Sequence, residues 1–218
     1  MPSRLPLFPL RLILFPGELV PLHIFEPRYR QLLADCLAGD QRFGLTPHIP
    51  PGPGAIGSVA RILNTEPLED GRSNIFVLGE RRFRVRALLE EDRLYGVASV
   101  EEFSDEGETG PLPAELDELR HLGGELRLAL GVLADRVGEE PSWSEDAELL
   151  SFQVASMADL DFEAKKRLLE GRSTRERARA LVSLLPALVT QMRSRAEVHI
   201  RARGNGTGHH GSDLVFGS

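Results

Sequence analysis

A single cysteine, Cys36, occurs in 218 residues, so no internal disulfide can form. This excludes a disulfide scaffold and fits a reducing compartment. No apolar run approaches the roughly 18 residues that a membrane-spanning helix needs. The opening stretch Leu5-Pro-Leu-Phe-Pro-Leu10 after Arg4 is greasy enough to resemble a signal peptide. However, Pro6, Pro9, Pro16 and Pro21 would break its helix, Arg11 interrupts it, and no small-x-small cleavage site follows. A cytoplasmic location is the expectation. Lysine is confined to Lys165 and Lys166, and the other 24 basic residues are arginine. Aromatic residues make up 6% of the chain, and none is interleaved with the C-terminal arginines, as stacking on nucleic acid would require. A net charge of −7 gives no global pull toward nucleic acid or anionic membrane.

The usual catalytic signatures are also missing. No glycine-rich loop ends in Gly-Lys-Ser/Thr, no His-Glu-x-x-His or cysteine pair offers a zinc site, and no Gly-x-Ser-x-Gly elbow is present. His209 and His210 are adjacent but lie in a glycine-rich segment, where two ligands would bear the full ordering entropy. No cofactor, no metal and no catalytic residue are therefore expected.

What is present is ordinary for a globular protein: 41% apolar and 27% charged residues, enough chain for one large domain or two small ones. Leu12–Phe15 and Leu22–Phe25 are short apolar runs bounded by proline and glycine, the pattern of strands. Pro27 suits a first helical position, and Tyr29, Leu32, Leu33, Cys36 and Leu37 then fall on one helical stripe before Gly39. Cys36 on that stripe reads as a core hydrophobe. The proline-rich segment 47–54 can be neither helix interior nor central strand and reads as a long loop. From Gly57 a meander follows: Val59–Leu63, a turn at Glu69-Asp70-Gly71, Ile75–Leu78, then the alternating Arg82-Phe-Arg-Val-Arg86, and finally Tyr95–Val100. The alternation predicts Phe83 and Val85 on one face and three arginines on the other. Sequential strands with short turns mean an antiparallel sheet or barrel.

Residues 104–113 form an acidic linker, after which the apolar period becomes helical. Leu116 to Val137 spaces a long helix weakened by Gly123-Gly124. Ser142-x-x-Glu145 predicts a capping box, Asp161–Glu170 a third helix, and Ser173-x-x-Glu176 the start of a fourth that Pro186 interrupts. Residues 204–218 read as a disordered, dispensable tail. Residues 101–170 hold 19 acids against 6 bases, and residues 171–203 hold 8 arginines against two glutamates. This predicts two helical faces of opposite sign, packed or solvated. His23 reads as a satisfied core histidine, Glu26 as a capping carboxylate and Trp143 as a packing residue.

Composition and spacing go no further. The order of motifs does. Leu5-Pro-Leu-Phe-Pro-Leu-Arg-Leu-Ile-Leu-Phe-Pro-Gly17 and Pro21-Leu-His-Ile-Phe-Glu-Pro-Arg-Tyr-Arg30 resemble the start of the Lon protease N-terminal, substrate-binding domain family. Gly57-x-Val-Ala-Arg-Ile, Gly71, Gly79-Glu-Arg-Arg-Phe-Arg, Tyr95-x-Val-Ala-x-Val-Glu101, Ala155-Ser, Lys165-Lys-x-Leu-Leu-Glu170 and Glu176-Arg177 follow in the family's order. The resemblance implies an α+β fold: a PUA-like antiparallel β-pseudobarrel with one helix over residues 1–103, the linker 104–113, an α-helical bundle over 114–203 and the tail 204–218. It also implies a stand-alone form of the domain, without the ATPase and protease modules of the ATP-dependent protease La family. The function so implied is a non-catalytic protein- or peptide-binding module, an adaptor in protein quality control. Its partners would be unfolded or tagged polypeptides and a separate protease.

Phe25, Arg28, Tyr29 and Ile49 are the expected substrate-binding residues, lining a concave apolar surface at the junction of the two halves. Serine at Ile49 and Tyr29 together is expected to weaken binding without lowering the melting temperature. The alternative is an RNA-binding PUA-like module using the Arg82, Arg84, Arg86 face. A hydrolase with an unfamiliar site is a third reading, disfavoured by the lack of a nucleophile–base pair.

Overall fold

A computed structural model of the protein describes residues 3–107, 113–135 and 142–206. Among the described residues, six strands form one strongly curled mixed sheet: β1 (Ser3–Pro9), β2 (Leu19–Ile24), β3 (Arg42–Thr46), β4 (Ile56–Pro67), β5 (Ser73–Leu89) and β6 (Val97–Phe103), in the order β2-β5-β4-β3-β1-β6, with a further pairing of β6 to β5. The long β5 pairs with β2 through its first half and with β6 through its second. All pairings are antiparallel except one. β1 and β3 run parallel, because α1 (Pro27–Leu37) forms part of the crossover between them.

The run Leu12–Phe15 is not a strand. It is an irregular connector between two cores. Ile13 and Phe15 join the helices, while Leu14 joins the cluster beneath α1, so the run is apolar because both sides of it are buried. Its backbone is satisfied from outside: the Ser58 hydroxyl donates to the Leu14 carbonyl at 2.6 Å. At Gly79 any side chain would drive its Cβ to 2.1 Å from the Phe15 carbonyl oxygen, which fixes glycine there. On α1, Tyr29, Leu32, Leu33 and Cys36 are buried as the spacing requires, but Leu37 is exposed.

Among the described residues four further helices follow: α2 (Pro113–Leu133), α3 (Ala147–Met157), α4 (Phe162–Glu170) and α5 (Thr174–Gly206). α3 is capped by Asp146, which accepts from the Leu149 amide at 2.8 Å, and not by the predicted Ser142 box. Asp161 and Ser173 cap the next two starts, accepting from Ala164 and Glu176. Of the two glycines of α2, Gly123 marks a close approach, since a Cβ there would meet Val154 at 2.9 Å and Trp143 at 3.2 Å, whereas Gly124 faces open space. α5 runs on through Pro186 and past the predicted boundary at 203. The proposed tail beyond Gly206, with His209 and His210, and residues 108–112 of the linker lie outside the described residues.

α2 and α5 run parallel and explain the segregated charge. Glu115 pairs with Arg179, Glu125 with Arg193, and Asp135 with His199 and Arg203, advancing together along both helices. Between these pairs Leu119, Leu122, Leu126 and Ala129 share one core cluster with Ala178, Leu181, Leu185, Val189 and Met192, a seam of residues three or four positions apart.

Candidate functional site

Where β2 gives way to α1, the chain makes a pocket of about 340 Å³. Its walls are Phe8, Pro9 and Leu10 from the end of β1, Leu22, His23 and Phe25 from the β2 segment, Glu26, Arg28 and Tyr29 from the start of α1, and Ile49 from the proline-rich loop. All four residues singled out from the sequence thus meet at one concavity, in unequal positions. Phe25 and Ile49 stand on the rim, 58% and 63% exposed. Tyr29 is the floor, 5% exposed, its ring centroid 4.1 Å from that of Phe8. Burial pushes the Tyr29 hydroxyl pKa up. Serine at Tyr29 would therefore damage the fold, contrary to the sequence expectation. Arg28 lies across the Tyr29 ring at 4.5 Å and pairs with Glu26 at 2.8 Å. Glu26 makes no side-chain cap to the helix, so its carboxylate neutralises Arg28 instead.

Among the described residues, none of the helical half lines this pocket, which corrects the expectation that it sits at the junction. The helices brace it indirectly: His48 Nε2 is 2.8 Å from Glu170 Oε1 at the end of α4, tying the rim loop down one residue before Ile49. His23 is not a core histidine. It is exposed, hydrogen-bonded to Asn74 at 2.8 Å and stacked on Phe25 with centroids 6.0 Å apart.

The junction holds a different constellation, which sequence reasoning missed. Arg82 is fully buried. Its guanidinium donates to the Leu169 and Gly171 carbonyls, to Asp105 and to Glu148. Asp105 also accepts from Arg177 at 2.5 Å and from the Thr174 hydroxyl at 2.5 Å, and Arg177 Nε donates to Ser151 at 2.7 Å. Phe152 lies beneath both arginines, 5.0 Å from Arg82 and 3.9 Å from Arg177. Burial opposes ionisation of Asp105, but the hydrogen bonds from Arg177 and Thr174 and the two guanidiniums hold its carboxyl below the usual range. Two cations facing two carboxylates balance, and this is a brace between the halves. It also dismantles the expected arginine face: Arg82 points inward, Arg84 lies against Phe103 and Arg86 is paired with Glu101. Asp105, assigned to the linker from composition, is a core residue with 6% of its side chain exposed.

Among the described residues, no group of three His, Cys, Asp or Glu side chains is placed to hold a metal ion, and no helix is long and apolar enough to cross a membrane. Burial pushes the Cys36 thiol up to about 12, so it is no nucleophile.

Curated relatives are bacterial Lon proteases. That of Flavobacterium johnsoniae is 27% identical over 191 residues, which cover 82% of this chain but 23% of that protein. That of Anaeromyxobacter dehalogenans is 27% identical over 198 residues, covering 85% and 23%. The chain thus spans about a quarter of the length of the curated relatives it matches. Among solved structures, a Lon N-terminal domain protein from Xanthomonas campestris superposes with a TM-score of 0.63 at 27% identity, covering 84% of this chain and 99% of that one. The N-terminal domain of the Mycobacterium avium complex Lon protease gives 0.65 at 21% identity, covering 86% and 98%, a likeness of fold. With residues 4–187 matching the family's profile from β1 into α5, the chain belongs to the ATP-dependent protease La (LON) substrate-binding domain family.

Proposed function

We propose that this chain is a non-catalytic polypeptide-binding module of the cytoplasm, and that the Phe25–Ile49 pocket seats an apolar side chain of an unfolded or tagged polypeptide. In this reading residues 1–103 carry the binding face and residues 114–203 brace it. The module acts as an adaptor that presents its client to a separate protease. One observation carries the reading: two large apolar side chains stand exposed on the rim of an apolar pocket whose charged lining residues, Arg28 and Glu26, neutralise each other. Exposed apolar patches of this kind mark interaction sites. Burying both rim side chains in a complex is worth on the order of 1.5–3 kcal/mol each, or at least tenfold in affinity per residue.

The test is binding of reduced, carboxymethylated lactalbumin to the full chain and to Phe25→Ser and Ile49→Ser. Each variant should weaken binding at least tenfold and keep the wild-type melting temperature. Unchanged affinity in both variants would overturn the reading. So would casein turnover by the purified chain, with or without ATP, since the proposal includes no hydrolysis.

A further inference from the structure

A second cavity, of about 320 Å³, opens between α4 and α5 and has no part in the reading above. Helical spacing builds each wall: Ala164, Arg167 and Leu168 come from α4, and Glu176, Ala180 and Leu184 from α5. Ala164 and Ala180 leave the space that longer side chains would fill. Leu168 is buried and Leu184 is 43% exposed, so the interior is aliphatic. Arg177 adds to the wall, but its guanidinium is committed to Asp105 and Ser151. The remaining charges stand on opposite walls. Arg167 and Glu176 are both exposed, and among the described residues neither forms an ion pair, with the other or with a third group. The facing charges of α2 and α5 meet in pairs, Glu115 with Arg179 and Glu125 with Arg193, whereas those of α4 and α5 at this cavity do not.

This combination selects the ligand. A lone anion would meet Glu176, and a lone cation would meet Arg167. A hydrocarbon group would leave both charges with water alone, and the interior of a polypeptide has no backbone charge to offer them. A molecule bearing both signs on one carbon, with an aliphatic chain beside them, satisfies the two walls and the interior together. The volume agrees, since it lies at the small end of the roughly 300–1,000 Å³ of small-molecule sites.

We propose that this cavity binds a free aliphatic α-amino acid of about the size of leucine. Its carboxylate accepts from the Arg167 guanidinium, whose planar fork suits that group. Its ammonium donates to the Glu176 carboxylate, and its side chain lies against Leu168, Ala180 and Leu184. Arg177 links the site to the brace, because it borders the cavity and also holds Asp105. The native fold alone assembles these walls, so the ligand raises the melting temperature in proportion to its occupancy. The site is independent of the Phe25–Ile49 pocket.

The test is a titration of the isotope-labelled full chain with L-leucine, followed through its backbone amides. Those of Gly171, Ser173 and Ala180 should shift and saturate, and those of Phe25 and Ile49 should not. N-acetyl-leucine lacks the ammonium and leucinamide lacks the carboxylate, so each should bind about threefold to fivefold more weakly, the worth of one exposed ion pair. Glycine, which lacks the aliphatic chain, should not saturate. Arg167→Gln should abolish the preference for leucine over leucinamide and keep the preference over N-acetyl-leucine, and Glu176→Gln should do the reverse. Both substitutions change exposed side chains and should keep the melting temperature of the ligand-free chain. The absence of saturable shifts at these three amides, up to the solubility limit of leucine, would overturn the proposal. So would equal binding of leucine, N-acetyl-leucine and leucinamide, since the cavity would then ignore charge. Preferences that survive in both variants would overturn it as well.

Discussion

Replacing Asp105 by alanine removes the shared acceptor of two arginines that have almost no access to water. Arg82 would retain Glu148 and two carbonyls, but Arg177 would keep only the Ser151 and Thr174 hydroxyls. Removing one partner of a buried ion pair costs about 3–5 kcal/mol, chiefly because the remaining charge is stranded. For a domain of this size each kcal/mol moves the melting temperature by ~2–4 °C, so the variant should melt about 6–20 °C lower. Urea titration followed by circular dichroism gives the free energy directly. Glu102→Ala, which breaks the exposed pair with Arg81, serves as the control and should stay within error. The pH dependence has a definite sign. The Asp105 carboxyl is held below its ordinary value of 3.8, so its contribution is complete above about pH 4 and fades as the pH falls through the depressed folded value. The gap between wild type and variant should therefore narrow in acid. A loss below ~1 kcal/mol, or a gap independent of pH down to 2, would refute the assignment of this cluster as the brace between the halves.

Tyr29→Ser should cost about 3–5 kcal/mol in urea titration, because it empties a buried aromatic site, while Ile49→Ser at the same pocket should cost almost nothing. Glu18 is a half-buried carboxylate whose pKa burial raises, against the pull of the Phe15 amide and Lys165. Its contribution favours folding in acid and is lost as the pH rises through the folded value, so Glu18→Gln should be more stable than wild type at pH 7 and lose that advantage below about pH 4.5. Cys36 should resist a disulfide reagent in native protein at pH 8 and react at once in denaturant, since burial has pushed its thiol to about 12.

Local rules made much of the fold legible. The stripe on α1, the loop around Ile49, the turn at Gly71, the helix that ends at Glu170 and the cap at Ser173 depend on neighbours in sequence, and the structure has them. Long-range demands were not legible. Leu12–Phe15 has the composition of a strand but serves two cores at once, and no periodicity reports that. Arg82 sits in an alternation that puts it on the solvent face, yet three helices arrive there and bury it with Asp105, a residue that composition assigned to a linker. His23 fits the reverse case: its apolar neighbours suggested a core position, whereas the outer face of β2 is exposed among the described residues. The candidate site was partly legible because its motif fixes a strand end, a helix start and a loop. What spacing could not separate was the floor from the rim, that is, Tyr29 from Phe25 and Ile49.

The central claim is that unfolded polypeptide contacts the rim of this pocket. Photo-crosslinking tests it directly, with benzoylphenylalanine placed either at Ile49 or at Leu128, an equally exposed apolar position on α2 far along the helical half. With reduced, carboxymethylated lactalbumin, the account predicts a strong crosslinked band from position 49, competed away by unlabelled ligand, and background from position 128. Equal crosslinking at the two positions, or none at position 49, would contradict it.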